Sequence, residues 1–585
     1  MRVNSKILSF KGTLNTFKGA LNLALLSLLV SACGGGGGSG NGSPAALSDA
    51  TAPTVLATDP ASRSRSVAAR TPISVTFSET MDASSLTAST FVVSAGGTPI
   101  PGTVSVASNS ATFTPSADLD LNTLYTASVT TGVKDRAGNA MAAAYSWQFT
   151  PGTRVWSAAR SMATDAFAPQ TGTDSAGNLI LVWQQKEGNH YSIWANRYDA
   201  AARQWGLATL LQNDNTGSGY VPQLAVNASG HAVAAWQHYD GSRYHVWANH
   251  YDAVVGQWGA VQALTGSGSD AFDPQVAISA NGNAIVVWRA PDGPFDDPAT
   301  TLVAGEYYVS SLWVKYYDAV TKTWEAAATA LELDDDKGHD VSAAQVVMDS
   351  VGNSVVVWQQ FNGTVTSVYA TRYTVGAGWA MPGSISTGSA GVAMNPQLAM
   401  DGGGNAIAVW QQYDANARYS IWASRYVATT VTWGVPALIE NADNGDAFDP
   451  RLVVNATGDA WVAWHRHDGT TYNIESNHYT VGSGWSSAAL IESNNVGDAT
   501  HAQIAVNASG DAFAVWEQSD GVRTSVWSNR YNPSLQAWGM ATLVEVDDSG
   551  DARAPQVNVD STGNASAAWR QWDGAHWKVL TSRYQ

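Results

Sequence analysis

One pattern of apolar and polar positions recurs along most of this 585-residue chain. Its clearest copy is Asn405-Ala-Ile-Ala-Val-Trp-Gln-Gln412, in which a short apolar run ends in a tryptophan and polar residues follow. A fixed period near 50 residues indicates a repeat architecture. The intervals between equivalent tryptophans are 52 to 54 residues, with one interval of 70. These tryptophans are Trp183, Trp236, Trp288, Trp358, Trp410, Trp464, Trp516 and Trp569.

Each repeat contains four short segments with β-strand character. In the second repeat they are residues 222–227, 232–236, 244–251 and 257–259. Asp240-Gly241 between the second and third segments is a strong hairpin signal. The segments show no helical periodicity, and four strands joined by short turns are typical of a propeller blade. Because the tryptophans end the second strands, we expect them to pack between blades.

A count of the outer-strand tryptophans predicts how the ring closes. A third-strand tyrosine occurs in all eight repeats, but an outer-strand tryptophan follows only the first seven. An extra copy, Trp156, precedes the first repeat, so we predict an eight-bladed propeller over residues 154–585 that is closed by the Trp156 strand. Such closure removes an exposed sheet edge. A seven-bladed ring with a stray repeat and an open solenoid are the alternatives.

The segment before the repeats, residues 52–150, shows short alternating strands that predict a small β-sandwich. Residues 77–82 (Phe-Ser-Glu-Thr-Met-Asp), 133–139 (Val-Lys-Asp-Arg-Ala-Gly-Asn) and 147–149 (Trp-Gln-Phe) resemble the bacterial Ig-like domain of S-layer and other surface proteins. The resemblance implies a spacer that holds another domain away from the cell. The overall prediction is therefore an all-β chain, with an N-terminal Ig-like sandwich followed by the propeller of four-stranded blades.

The N-terminus has the pattern of a targeting segment. Four basic residues precede an apolar run at 21–30, which is too short to span a bilayer. The run ends in Leu29-Val-Ser-Ala-Cys33, which resembles a bacterial lipoprotein signal. The resemblance implies that residues 1–32 are removed, that Cys33 is lipidated and, because Gly34 rather than Asp follows, that the protein goes to the outer membrane of a Gram-negative cell. An ordinary secretory signal with a free cysteine is the alternative.

Composition adds three constraints. Residues 33–51 are rich in Gly and Ser and predict a flexible tether. Cys33 is the only cysteine, so no intrachain disulfide forms. The net charge of −18 argues against nucleic acid as a partner, because an acidic surface repels phosphates. We also expect membrane contact through the lipid only, and a monomer.

Charged residues also recur in register with the repeats. Arginines such as Arg197 and Arg425 precede the third-strand tyrosine, and aspartates such as Asp270 and Asp446 precede the first strand. This regularity favours a structural ladder of ion pairs or hydrogen bonds over separate sites. The Asp174-Ser-Ala-Gly-Asn178 type of turn predicts Asx-turn bonding. No cofactor is required on this interpretation, and Ca²⁺ binding at these turns is the alternative.

The repeats lose their symmetry at one place, after Trp288. The next strand is delayed there by an insertion, and the following interblade segment is acidic. Both connections leave the same face of a propeller, so their carboxylates and aromatic rings suit sugar stacking or a divalent cation; a solvated loop without a ligand is the alternative. The candidate ligand-binding residues are Asp292, Asp296, Asp297, Glu306, Tyr307, Tyr308, Asp334, Asp335 and Asp336.

Other chemistry is weakly signalled. His465 and His467 occupy alternate positions of one strand and could supply two metal ligands, although surface variation is the favoured interpretation. The Ser-x-Asp-x-Gly-x-Thr-Trp turns of sialidase-class propellers have no copy here, and the likeness to lectin propellers rests on tryptophan-rich repetition alone. No catalytic residue is assigned.

These features favour a non-enzymatic outer-membrane lipoprotein that presents a propeller at the cell surface to bind an extracellular glycan or protein, with avidity from several weak contacts. One alternative is a glycan-active hydrolase or lyase using Asp296, Asp297, Glu306 or Asp335, which needs two carboxylates at suitable separation. Another is a scaffold subunit of a surface assembly, which should expose an apolar patch.

Overall fold

The computed structural model describes residues 49–60, 62, 72–120, 123–149, 151, 155–212, 217–266, 268, 270–291, 310–332, 340–387, 391–413, 418–440, 445–492, 496–533, 536–545 and 550–585. Over these residues the protein is all-β, and its one short helix is a 3₁₀ turn at Ala83–Ser85. The chain forms two compact units, the second of which holds Pro151–Gln585.

The first unit is a β-sandwich. Its strands are β1 (Val55–Asp59), β2 (Ile73–Phe77), β3 (Phe91–Ala95), β4 (Thr98–Pro99), β5 (Gly102–Ala107), β6 (Ser110–Pro115), β7 (Tyr125–Val129) and β8 (Tyr145–Phe149). Two antiparallel sheets have the orders β1-β2-β6-β5 and β4-β3-β7-β8. Alternate residues face inward, and Phe91 packs against Phe113 of the other sheet at a centroid distance of 6.0 Å. Burial of these rings provides the core of the sandwich.

The second unit contains eight antiparallel sheets that form the blades of a propeller. Each of the first seven has a long inner strand, two long middle strands and an outer strand split into two short pieces that both pair with the third strand. Before them comes β9 (Arg160–Thr164). Blades 1 to 4 are β10 (Ala166–Thr173), β11 (Leu179–Glu187), β12 (His190–Asp199), β13 (Gln204–Trp205), β14 (Thr209–Leu210); β15 (Ser218–Val226), β16 (Ala232–Tyr239), β17 (Tyr244–Asp252), β18 (Gln257–Trp258), β19 (Gln262–Ala263); β20 (Phe272–Ile278), β21 (Ala284–Pro291), β22 (Ser310–Asp318), β23 (Thr323–Trp324), β24 (Thr329–Ala330); β25 (Val341–Met348), β26 (Ser354–Phe361), β27 (Thr366–Thr374), β28 (Gly378–Trp379) and β29 (Gly383–Ser384). Blades 5 to 8 are β30 (Ala393–Met400), β31 (Ala406–Tyr413), β32 (Tyr419–Val427), β33 (Thr432–Trp433), β34 (Ala437–Leu438); β35 (Ala447–Val454), β36 (Ala460–His467), β37 (Tyr472–Thr480), β38 (Gly484–Trp485), β39 (Ala489–Leu490); β40 (Ala499–Val506), β41 (Ala512–Ser519), β42 (Thr524–Asn532), β43 (Ala537–Trp538), β44 (Thr542–Leu543); β45 (Ala552–Val559), β46 (Ala565–Trp572) and β47 (Trp577–Tyr584).

The eighth blade takes its outer strand from the start of the repeat region. Strand β9 pairs with β47, and Trp156 forms a bridge with Tyr584 as Trp205 does with Tyr198 in the first blade. The Trp156 indole also donates to Ser528 Oγ of the seventh blade at 2.7 Å. Each inner strand contacts the inner strands of both neighbouring blades, including β10 with β45. The eight blades therefore form a closed ring.

The second-strand tryptophans pack between blades as predicted. All eight are at most 3% exposed. Trp410 of the fifth blade, for example, lies in one cluster with Val355 and Val357 of the fourth. In five blades the indole N–H donates to a glutamine two residues later, as Trp410 does to Gln412 at 2.9 Å. The apolar run thus supplies burial, and the following glutamine satisfies the one polar atom of the ring.

Every inner strand carries a β-bulge near its start. In each blade a non-glycine residue there adopts a positive φ, between 47° and 54°, and the register with the second strand shifts. At five of the eight bulges a side chain of the preceding blade accepts a hydrogen bond from the bulge N–H, as Gln359 Oε1 does from Asn395 N at 2.9 Å. In these five cases the second strand of one blade is therefore bonded to the inner strand of the next at a point of backbone strain. The bulge residues are Ala168, Val221, Asp273, Ala343, Asn395, Asp449, His501 and Ala554.

Candidate functional site

The two faces of the propeller carry different connections. Turns from the first to the second strand lie on one face, called here the turn face. Hairpins from the second to the third strand, such as the one at Asp240-Gly241, lie on the opposite face with the interblade connections, because successive strands are antiparallel. We call this opposite side the hairpin face.

A row of aromatic side chains crosses the hairpin end of the first three blades. The residues of this aromatic arc are Phe167, Tyr191, Tyr220, Tyr244 and Phe272. Their successive ring centroids are 6.2, 5.4, 6.2 and 5.3 Å apart. All five side chains are half-buried, so ring surface remains accessible. The arc offers a contiguous aromatic surface with hydroxyl groups at its three tyrosines.

Strand position explains why these rings are only half-buried. Phe167, Tyr220 and Phe272 lie near the start of inner strands, beside the bulges, and Tyr191 and Tyr244 lie at the start of third strands. The interblade tryptophans bury the middle of each strand, whereas its end has neighbours on fewer sides. Hydrogen bonds at the bulges fix the inner strands below the arc. Val221 N donates to Gln184, and Asp273 N donates to Gln237.

The arc ends beside the insertion that breaks the repeat. Arg289 lies over the Phe272 ring at 5.2 Å and binds Asp273 at 2.6 Å. Two residues further on, Pro291 pairs with Ser310, which closes the β21–β22 hairpin on both sides of the insertion. Ser310 N donates to Asp340 Oδ1 at 3.2 Å, so the ends of the insertion and of the acidic interblade segment are adjacent.

None of the predicted ligand-binding residues is itself among the described residues. Asp292, Asp296, Asp297, Glu306, Tyr307, Tyr308, Asp334, Asp335 and Asp336 lie outside them, as does Cys33. The structure therefore locates the ends of the two predicted segments and leaves the predictions for their side chains as they stand.

The bulge positions are polar in three successive blades, 5 to 7, and also at Asp273 of blade 3. At the bulge positions of blades 5 to 7 stand Asn395, Asp449 and His501, whereas Ala or Val stands there in blades 1, 2, 4 and 8. Asn395 Nδ2 lies 3.4 Å from Asp449 Oδ1, and His501 lies 3.7 Å from Glu517. This sector concentrates hydrogen-bonding groups on the side of the ring away from the arc.

The sixth blade departs furthest from the repeat, and it corrects one interpretation. His465 is buried, at 8% exposure, rather than a surface variant. Burial lowers its pKa to about 4, and the Asp449 carboxylate partly opposes this shift. His465 and His467 both pack against the Tyr472 ring, at 5.1 and 4.9 Å. The histidines therefore belong to a packed aromatic group, within which His465 is neutral near pH 7.

The same blade replaces an aromatic pair by an ion pair. Glu475 stands opposite Trp464, where five other blades place a second tryptophan. Arg466 Nη2 binds Glu475 Oε1 at 2.6 Å with both side chains 11% exposed. A charge buried to this degree needs such a partner.

The recurring charged residues form hydrogen bonds within and between blades, as the repeat predicted. Asp446 Oδ1 accepts the N–H of Tyr419 at 2.9 Å, so it caps the hairpin of the preceding blade. Arg425 lies over the Tyr479 ring of the next blade at 6.0 Å. In the turn at Asp174, both carboxylate oxygens accept from Asn178, at 2.9 and 2.7 Å. These bonds confirm the Asx-turn prediction.

One acidic cluster occurs in the Ig-like unit. Carboxylate oxygens of Asp49, Glu79 and Asp135 lie within 4.8 Å of one another. Desolvation and the two neighbouring carboxylates raise the pKa of Glu79. Both oxygens of Asp135 already accept from Asn139, at 2.8 and 2.7 Å, so the chain itself binds this carboxylate.

Sequence analysis did not single out the aromatic arc. Phenylalanine and tyrosine are ordinary strand residues, and those of the arc recur in only some repeats. Alignment of the repeats could have shown part of it, because one position near the start of the third strand is tyrosine in four repeats. These tyrosines are Tyr191, Tyr244, Tyr419 and Tyr472.

The class of protein is thus an all-β chain with an Ig-like sandwich and an eight-bladed propeller. Residues 49–151 match the family model of the bacterial Ig-like domain. No curated protein matches the chain. Among the described residues, no helix has the length and apolarity needed to cross a membrane.

Solved structures show distant similarity. A protein of unknown function from Dyadobacter fermentans is 9% identical and has a TM-score of 0.37, with 64% of this chain and 96% of that chain covered. The NanB sialidase of Streptococcus pneumoniae is 10% identical with a TM-score of 0.34, covering 80% and 91%. The polysaccharide lyase Uly1 is 10% identical with a TM-score of 0.41, covering 60% and 88%.

Proposed function

We propose that the propeller is a non-catalytic module that binds an extracellular glycan on its hairpin face. The aromatic arc carries this proposal. Sugar rings expose flat patches of C–H groups and a rim of hydroxyls, and half-buried tyrosines offer a ring face and a hydroxyl to match them. Five adjoining rings favour an extended ligand of several sugar units over a single small molecule.

The proposal includes how the module is presented. Lipidated Cys33 anchors the protein in the outer membrane, the glycine-rich segment after it is a tether, and the Ig-like domain is a spacer. What supports this arrangement is the signal-like sequence that ends at Cys33 and the bacterial Ig-like domain at residues 49–151. Contacts from several rings add, so weak individual contacts give useful affinity.

Removal of one arc tyrosine tests the function. A soluble protein of residues 43–585 is screened on a glycan array, with and without Ca²⁺, and the best ligand is titrated by calorimetry. Tyr220→Ala, at the centre of the arc, should weaken binding by roughly tenfold or more, because central aromatic residues dominate such interfaces. Its melting temperature should change little, since Tyr220 is half-exposed.

The matched control is Tyr419→Ala, which removes a tyrosine from the corresponding hairpin end in the fifth blade, outside the arc. Binding should survive in this variant. Equal affinity of Tyr220→Ala and the unaltered protein would refute the arc as the site. An array without any ligand would favour a protein partner, to be sought by pull-down from whole cells.

A further inference from the structure

A groove on the outer side of the ring separates the first two blades. Its volume is about 620 Å³. The corresponding grooves between blades 2 and 3, 3 and 4, and 7 and 8 measure about 400, 350 and 260 Å³. We propose that the groove between the first two blades binds one pyranose unit of a neutral sugar. The residues that carry this proposal are Asn196, Arg197, Asp199, Trp205, Leu207 and Trp258.

Arg197 differs in its contacts from the seven residues at the equivalent position of the other blades. In six of the other blades the residue at this position packs against a tyrosine ring of the next blade. In the remaining one, Arg530 lies over Phe513 and binds Asp511 at 2.6 Å. Arg197 has no such partner among the described residues. These six packed pairs are His250–Tyr317, Tyr316–Tyr373, Arg372–Tyr426, Arg425–Tyr479, His478–Tyr531 and Arg583–Tyr198.

The Arg197 guanidinium instead faces Asp199, with 3.8 Å between Nη1 and Oδ2. The two side chains are 37% and 46% exposed, and an exposed pair at this distance contributes little stability. A ligand can therefore recruit both groups at small cost. Side by side they offer N–H donors and a carboxylate acceptor, which matches two adjacent hydroxyls of a sugar, one accepting and one donating.

Asn196 provides a buried acceptor at the base of the groove. The residue is 8% exposed, and its Oδ1 has no hydrogen-bond donor among the described residues. Burial of an acceptor without a donor costs free energy, so a hydrogen bond from a ligand would be favourable there. The equivalent Asn249 and Asn529 line two of the smaller grooves. The side chains beside them already have partners, because His250 stacks on Tyr317 and Arg530 binds Asp511.

Apolar surface completes the site. Trp205 and Trp258, one from each blade, are both half-buried. Leu207 at the rim is 92% exposed. These surfaces suit the C–H face of a sugar ring. The Asp199 carboxylate offsets the Arg197 charge, and the chain carries a net charge of −18, so a neutral sugar fits better than an anionic one.

The groove is separate from the aromatic arc. Arg197 and Tyr191 lie on the same strand, six residues apart, which corresponds to about 20 Å. Arg197 lies toward the turn face, whereas Tyr191 lies at the hairpin face. This second site therefore goes beyond the function proposed for the arc and can be tested independently of it.

Saturation-transfer NMR on the soluble protein of residues 43–585 tests the site. The probes are the methyl pyranosides of glucose, galactose and mannose at up to about 10 mM, a range that detects millimolar dissociation constants. At least one pyranoside should give signal from its ring protons. Arg197→Ala should reduce that signal roughly tenfold or more, and Asp199→Asn should reduce it with less disturbance of packing.

The matched control is Arg530→Ala, the same change at an equivalent position. It should lower the melting temperature, because it breaks the pair with Asp511, and leave the signal intact. Tyr220→Ala should also leave it intact, so failure of this site and failure of the arc are distinguishable. The proposal is overturned if no pyranoside gives a signal, if Arg197→Ala keeps it, or if Arg530→Ala abolishes it.

Discussion

Single residues decide where this repeated chain differs from its own pattern. Glutamine follows the second-strand tryptophan in four blades, at Gln184, Gln237, Gln359 and Gln411, and there it holds the N–H of the next bulge. His465 takes this position in the sixth blade. The imidazole packs against Phe448 and Tyr472, and its burial leads us to expect that acid destabilises this blade.

The pH dependence follows from the direction of the shift. The pKa of His465 is about 4 in the folded protein and about 6.5 when exposed. The unfolded chain therefore binds a proton in this window that the folded chain does not, and stability falls as the pH drops from 6.5 toward 4. The full contribution is on the order of 3 kcal/mol. The charged groups that influence His465 are Asp449, His501, Arg451 and Asp498.

His465→Gln introduces the residue found here in four other blades and should remove the His465 share of this dependence, while buried His250, whose pKa is also lowered to about 4, keeps its own share. Chemical denaturation at pH 7.5 and pH 4.5 gives the free energy of unfolding at each pH. The difference between the two values should shrink in the variant. At pH 7.5 the new amide should hold the His501 N–H, so the variant should be at least as stable as the parent. An unchanged pH difference would show that His465 is not the responsible group.

At the scale of elements, the closing strand differs from all other outer strands. In the first seven blades the outer strand follows the third strand directly, whereas β9 reaches β47 only through ring closure. Trp156 adds a bond to Ser528 of the seventh blade. Loss of this tryptophan should therefore affect the joint of the ring as well as its own blade.

Trp156→Ala and Trp205→Ala compare these two situations with the same substitution. Each removes a partly buried aromatic ring and should cost on the order of 3 kcal/mol. Hydrogen exchange read by mass spectrometry should show faster exchange across β45, β47 and β10 in Trp156→Ala. In Trp205→Ala the change should be limited to the first blade and to β46 and β47, with whose Ala568 and Val579 Trp205 shares an apolar cluster, and β45 should be unaffected. Identical local patterns in the two variants would contradict a special role for the joint.

The elements also show what the sequence could and could not predict. The apolar run ending in tryptophan correctly predicted eight four-stranded blades, because burial between blades requires a large ring at one register. The bulges could not be predicted from the sequence. Glycine is the residue that indicates a positive φ, whereas the bulge residues here are Ala, Val, Asp, Asn and His. The split of each outer strand was equally invisible, since its residues are ordinary for a strand.

The candidate site was less predictable, because it depends on contacts between blades. The chain places Phe167 and Tyr220 in different repeats, and only the ring brings both against Tyr191. Sequence asymmetry predicts a site at the insertion after Pro291, whose side chains lie outside the described residues. The described residues next to the insertion include Arg289, which lies over the Phe272 ring at the end of the arc.

For the whole molecule, we expect that the insertion after Pro291 can be removed without loss of stability. Pro291 pairs with Ser310 in the register that Tyr239 and Tyr244 have in the second blade, where only residues 240–243 connect them. Replacement of residues 292–309 by Asp-Gly-Ser-Arg, the sequence of that turn, should leave the melting temperature within about 2 °C. Glycan affinity at the arc should fall if the insertion contributes to the proposed site. A large loss of stability would show that the blade requires the insertion.

Ring closure also determines when the eighth blade can form during biosynthesis. Ser157 and Ser582 form a hydrogen bond although they are 425 residues apart in the chain. At a translation rate of about 5–20 residues per second, roughly 20 to 85 seconds separate their synthesis. The first seven blades consist of neighbouring segments and can pair as they emerge, but the eighth must recruit a strand made long before. A prematurely terminated chain would keep two open sheet edges, which expose it to aggregation and proteolysis. Complete chains, whose ring is closed, would therefore be removed less readily than incomplete ones.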